Sequence, residues 1–139
     1  MQLGAILPLK LDLRPGEQFV VNGAVVEVGG PRRALILIQN KASVLLGKDI
    51  MQPEDAKTPA RRIYFPIMLM YLNESGRETA YAEFEKRLRE FMSAACDPPV
   101  LAECAEMLND VTAGEYYRAL VRCRRLMTYE RVRLLGAIA

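Results

Sequence analysis

The spacing of apolar residues changes once along this chain, and that change limits what it can fold into. In LKLDL, Leu9, Leu11 and Leu13 alternate with Lys10, Asp12 and Arg14. Every second side chain of a strand shares one face, so this is strand periodicity. From Pro59 onward the apolar residues recur at three and four, the spacing of one face of a helix. Strands first and helices after predict an α+β fold within the 139 residues.

Turn chemistry divides the first part. Arg14-Pro15-Gly16-Glu17 places Pro and Gly at the two central positions of a type II turn, the second of which needs a positive φ. QFVV resumes the strand, and Asn22-Gly23 is a strong two-residue hairpin signal of type I′. AVVEV, the GGPRR turn, ALILIQ and ASVLL complete about five short antiparallel strands over residues 9–50. A β module this small buries little surface by itself. Its open edges therefore predict a homodimer, since an unpaired edge invites a second chain.

The helical region, residues 59–139, reads as a bundle of about four helices. Thr58-Pro59 is a cap followed by Pro at the first helical position. Pro66 sits inside that first helix and is expected to kink or restart it. Ser75 is placed to cap a second helix, with Tyr81, Phe84, Leu88, Phe91 and Met92 inward. Asp97-Pro98 opens a third, and Glu115 to about Met127 forms a fourth, with the last dozen residues extending or fraying it.

Residues 51–58 connect the two parts. This segment has Pro53 and an acidic step at Glu54-Asp55, and no glycine or serine, so it is a shaped connection rather than a flexible linker. Arg61 and Arg62 follow at the start of the first helix, where the helix dipole disfavours cations. They are expected on the rim of the joint, in reach of a partner that touches both parts. Their neighbours Tyr64 and Phe65 read more readily as core than as a stacking platform.

The residues missing from the chain exclude several chemistries. There is no histidine, which removes the commonest general base and most zinc sites. The sequence carries no phosphate-cradling glycine motif and no nucleophile beside a base, so no enzyme, cofactor or metal is expected. Cys96, Cys104 and Cys123 lack metal spacing and read as buried free thiols in a reducing compartment. The start MQLGAILPLKL lacks a basic n-region and a cleavage site, and no apolar run is long enough to span a bilayer. A cytoplasmic location away from membranes is expected.

The net charge of +2 declares no nucleic-acid protein, so any such role rests on local patches. The candidate cations are Arg14, Arg32, Arg33, Lys41, Lys48, Arg61 and Arg62. Charge is also unevenly spread. Residues 74–110 hold four basic and nine acidic residues, and residues 115–133 hold six Arg and two Glu. Arg118, Arg122 and Arg125, with Tyr117 beside them, form a basic face on the last helix. Two readings are open for this face: a contact surface for an acidic partner, or a basic helix packed against its acidic neighbour.

At this point the chain resembles a known family. LRPGEQFVVNGAVV, NKASVLLGKDIMQPEDAKTPARRIYFPIMLMYL and GEYYRALVRCRRLM are similar to the flagellar biosynthesis repressor FlbT family, over nearly the whole chain from Pro8 onward. Residues 1–8 then look like an N-terminal extension. The resemblance implies post-transcriptional control of flagellin, through the flagellin mRNA 5′ leader and with a small helical partner, FlaF. Within it, residues 13–28 and 34–50 look more distantly like the carbon storage regulator CsrA, a small β protein that binds messenger leaders as a dimer. CsrA-like proteins carry an RNA-contacting Arg ahead of the acidic-Ile exit. Here that stretch reads Leu45-Leu46-Gly47-Lys48-Asp49-Ile50, with Lys48 as the nearby cation and Arg14 as the nearest match to the Arg before the turn. The resemblance thus implies an RNA-directed regulator. The other function class is a protein-binding adaptor or chaperone-like factor, working through flagellin or a FlaF-like protein without RNA contact.

Overall fold

The computed structural model of the protein describes residues 8–138, with side chains through residue 133. The N-terminal extension read at residues 1–8 lies, apart from Pro8, outside the described residues. The fold is α+β: five short antiparallel strands in two sheets, then four α-helices. The chain divides into two compact units between Ile50 and Met51.

In the first unit, β1 (Leu9–Leu13), β2 (Gln18–Val21), β3 (Ala24–Glu27), β4 (Ala34–Ile38) and β5 (Val44–Leu46) do not pair in chain order. β1 pairs with β4, Leu11 standing opposite Ile36. β2 lies between β3 and β5, with Phe19 opposite Val26 on one side and Leu46 on the other. The turn at residues 14–17 therefore carries the chain from one sheet to the other. Its Gly16 has φ 83°, and Glu17 N–H donates to the Arg14 carbonyl at 3.1 Å, as a type II turn requires. At the β2–β3 hairpin both Asn22 (φ 49°) and Gly23 (φ 84°) are left-handed, the geometry of a type I′ turn. Leu11, Leu13, Phe19, Val28 and Val44 form the core between the sheets. Leu9, Val21, Ile36 and Ile38 pack against it only half-buried, so this core is incompletely closed.

After β5, Gly47–Asp49 make one 3-10 turn. A Cβ on Gly47 would lie 2.7 Å from the Gln18 carbonyl oxygen, so no side chain fits there without backbone movement.

The second unit opens with a 3-10 turn at Pro53–Asp55, followed by α1 (Pro59–Leu72), α2 (Arg77–Ala94), α3 (Pro98–Thr112) and α4 (Tyr116–Ile138). α1 lies between α2 and α4, and α3 packs on α4. Ala60, Ile63, Ile67 and Met70 of α1 are fully enclosed, with Phe84, Cys104, Met107, Leu120 and Cys123 from the other helices.

Several details differ from the sequence-based expectation. α1 runs unbroken through Pro66, whose ring is buried; the hydrogen bond lost there is offset by the packing of the surrounding turns. Asn73, not Ser75, caps the turn before α2, its side chain accepting from Ser75 N–H at 3.1 Å. Of the two alternatives for the last dozen residues, extension holds: α4 continues past Met127 to Ile138, since nothing in TYERVRLL breaks the helical pattern. Cys96 is exposed in the link between α2 and α3, whereas Cys104 and Cys123 are buried.

Candidate functional site

Strand register decides which candidate cations of the β unit come together. Leu13 stands opposite Ala34, Gln18 opposite Glu27 and Phe19 opposite Leu46. The turn at 14–17, the loop at 28–33 and the 3-10 turn at 47–49 therefore meet at one end of the unit. Gly16 N–H donating to the Val28 carbonyl (2.8 Å) and Val28 N–H to the Glu17 carbonyl (3.0 Å) stitch two of them together. That end gathers Arg14, Arg32, Arg33 and Lys48, all exposed. Lys41 is not with them. It precedes β5 beside the Asn22 hairpin, whose side chain accepts from Ser43 N–H at 2.9 Å, at the opposite end.

The carboxylates at the cationic end are occupied locally. Glu17 accepts from the Arg14 backbone N–H at 2.6 Å, and Glu27 from Gln18 at 3.0 Å. Asp12 pairs with Arg33 at 3.1 Å, both side chains being mostly in solvent. Such an exposed pair is worth little and exchanges easily for a phosphate.

The position where the resemblance leads one to expect a cation is taken up by packing. Leu46 is half-buried against the β core, and Gly47 has no room for a side chain. Lys48 carries the first exposed side chain there.

In the helical unit, Arg61 and Arg62 are exposed on the first turn of α1. Their guanidinium groups turn back: Arg61 Nη1 donates to the Asp55 carbonyl at 3.3 Å and Arg62 Nη2 to the Lys57 carbonyl at 3.4 Å. Cations disfavoured by the helix dipole thus find carbonyl oxygens in the segment just before it. The start of α1 is closed twice. Thr58 Oγ1 accepts from Arg61 N–H at 3.2 Å, and Glu130 of α4 accepts from Ala60 N–H at 3.0 Å. Beside it lies an open groove of about 880 Å³, floored by Phe91 and Tyr129 and rimmed by Lys57, Arg62, Glu90 and Arg133. Nothing in the sequence signals this groove, because parts of three separate helices build it.

The basic face of α4 is turned to α3. Arg122 meets Asp110 at 2.6 Å, Glu103 at 3.1 Å and Glu106 at 3.8 Å. Asp110 is the buried charged residue of the core. Its hydrogen bond, and next that of Glu103, holds the Arg122 guanidinium above its ordinary pKa against the opposing effect of burial. Arg125 shares Glu103 at 3.2 Å, and Arg118 stands 4.0 Å from Asp110. Tyr117 is drawn inward as well: its ring packs against Tyr71, and the Arg124 guanidinium lies 5.6 Å from its centre. Tyr64 is buried in the core, and Phe65 is half-buried.

The two buried thiols are held protonated. Burial, with the nearby Glu103 charge, pushes the Cys104 thiol up to about 11. Burial also raises the Cys123 thiol well above its ordinary value, and its Sγ donates to the Ala60 carbonyl at 3.5 Å. No helix among the described residues is long and apolar enough to cross a membrane.

Comparison with known proteins adds a family. The profile of flagellar protein FlbT matches residues 9–134. The chain is 56% identical over 128 residues to the flagellum biosynthesis repressor protein FlbT of Caulobacter vibrioides, covering 92% of this chain and 90% of that one. It is 55% identical to a probable FlbT of Caulobacter sp. K31, covering 92% and 97%. A probable FlbT of Allorhizobium ampelinum is 33% identical, covering 88% and 80%. No solved structure matches the chain significantly.

Proposed function

The chain belongs to the FlbT family of flagellar proteins, and from that premise we propose that it is a post-transcriptional regulator of flagellin expression. FlbT is a family of regulators rather than enzymes, and its named relatives are flagellum biosynthesis repressors. The target is the flagellin mRNA 5′ leader, and the contact is made by the loop end of the β unit.

One observation carries this reading: Arg14, Arg32, Arg33 and Lys48 converge on exposed loops at one end of the strands. RNA leaders offer phosphates and unstacked bases, and arginine planes serve both. Four cations replacing counterions on a single strand give a slope of log affinity against log salt of about −3. Arg61 and Arg62, in the helical unit, are separate candidates for contact, and Lys41, at the far end of the β unit, contributes little.

The second reading is an adaptor that holds flagellin or a FlaF-like protein without touching RNA. It is favoured by Leu46 and Gly47, which give the CsrA-like cation position to packing. Its contact surface is the helical unit, through the groove beside α1 and the solvent side of Tyr117, Arg118, Arg122 and Arg125.

Titration of the purified protein against the leader at two salt concentrations separates the two. The RNA reading expects salt-sensitive binding that prefers the leader. It also expects loss on Arg32→Glu with Arg33→Glu, and a weaker loss on Arg61→Glu with Arg62→Glu. Absence of binding by the wild-type protein alone, or binding indifferent to both pairs, overturns it in favour of the adaptor.

A further inference from the structure

The outer edge of β4 is the least guarded surface of the β unit. β4 is bonded to β1 on one side, and among the described residues no strand pairs with its other side. Its five residues, Ala34-Leu35-Ile36-Leu37-Ile38, include no charge and no proline. Natural edge strands normally carry one or the other, because an apolar open edge recruits another chain. Leu35 is 64% and Leu37 44% exposed, on the face away from the β core.

We propose that this edge pairs with itself, so that two copies of the chain join β4 to β4 about a two-fold axis through Ile36.

The sequence of the strand fits a copy better than an unrelated partner. Two antiparallel copies of one strand keep inward and outward faces matched only if the axis passes through a residue. With the axis at Ile36, Leu35 of one copy faces Leu37 of the other, and Ala34 faces Ile38. The flanks agree too: Arg33 meets Gln39 and Arg32 meets Asn40, so no like charges are opposed. Of the other open edges, β3 carries Glu27, β1 carries Lys10 and Asp12, and β5 is only three residues long.

The joined sheet runs β1-β4-β4-β1. On its outer face the four leucines form a central strip. Lys10 and Asp12, which stand opposite Leu37 and Leu35 on β1, flank the strip on both sides. An apolar centre with a charged rim is the usual layout of a two-fold interface.

Sedimentation of the protein without RNA tests the pairing independently of the regulatory reading. A dimer at micromolar concentration is expected, and Leu35→Lys with Leu37→Lys is expected to convert it to a monomer. Both positions are exposed, so the far-ultraviolet circular dichroism at low temperature should stay as in the wild type. The register is tested by disulfide trapping in a Cys96→Ser background with copper phenanthroline as oxidant. Directly opposed residues lie within disulfide reach, whereas diagonal ones lie beyond it. An equimolar mixture of Leu35→Cys and Leu37→Cys chains should cross-link into the mixed pair faster than either variant cross-links alone. A wild-type monomer throughout the concentration range overturns the proposal and leaves the edge to a strand from another protein. A dimer indifferent to the lysine pair, or trapping with no preference for the mixed pair, overturns it equally.

Discussion

The two units hold their arginines, three in the β unit and eleven in the helical one, under opposite conditions. In the helical unit, Arg122 is gripped by Asp110, Glu103 and Glu106, Arg87 by Glu83 and Glu90, and Arg77 lies over the Tyr116 ring. In the β unit, Arg14 and Arg32 project from turns, and Arg33 keeps one solvent-washed partner. The density of basic residues is higher in α4, yet the exposed cations that converge are on the loops at one end of the β unit. A basic patch is thus recognised by what its charges are already doing, not by how many there are.

The cores differ in the same direction, which suggests the largest test. Phe84 is fully enclosed by helices, while Phe19 sits in a core whose flanking residues are half-open. Phe84→Ala should destabilise the amides of the helical unit by about 3–5 kcal/mol. Phe19→Ala should cost the β unit about 2–3 kcal/mol, because the looser site relaxes. Amide hydrogen exchange reads each unit separately. Equal losses, or loss spread evenly over both units, would break the contrast.

A smaller effect sharpens the electrostatic half. Arg122→Met leaves Asp110 buried without its closest partner, and about 2–4 kcal/mol should be lost from α3 and α4 by the same measurement. Arg122→Lys keeps the charge but not the fork, and should recover part of that loss. At the small end, Arg33→Ala should change stability by less than about 0.5 kcal/mol in a chemical denaturation curve, because Asp12 stays hydrated. A loss there as large as at Arg122 would mean that the β-unit cations are structural after all.

These differences also explain what the sequence could reveal. Alternation in LKLDL and the Asn22-Gly23 turn specify their own geometry within a few residues, so strands and hairpin were legible. The pairing of β1 with β4 was not, since residues 20 or more apart in sequence carry no local sign of meeting. The union of Arg14, Arg32, Arg33 and Lys48 depends on that pairing and was invisible for the same reason. The acidic middle and the basic last helix were legible as charges. That Arg122 turns to Asp110 is a matter of helix packing. Leu46 reads in the sequence only as the place of a missing cation; its packing against the β core depends on the register with Phe19.

The Glu130 cap has a consequence for how the protein is made. The first turn of α1 is completed by a carboxylate 70 positions further along the chain. On a ribosome that turn must wait, with one N–H still open to water, until most of α4 has left the exit tunnel. The strands, whose partners all lie within the first 50 residues, are free to close long before that. Synthesis therefore imposes an order of assembly, and the β unit spends its first moments as a finished surface attached to an unfinished bundle.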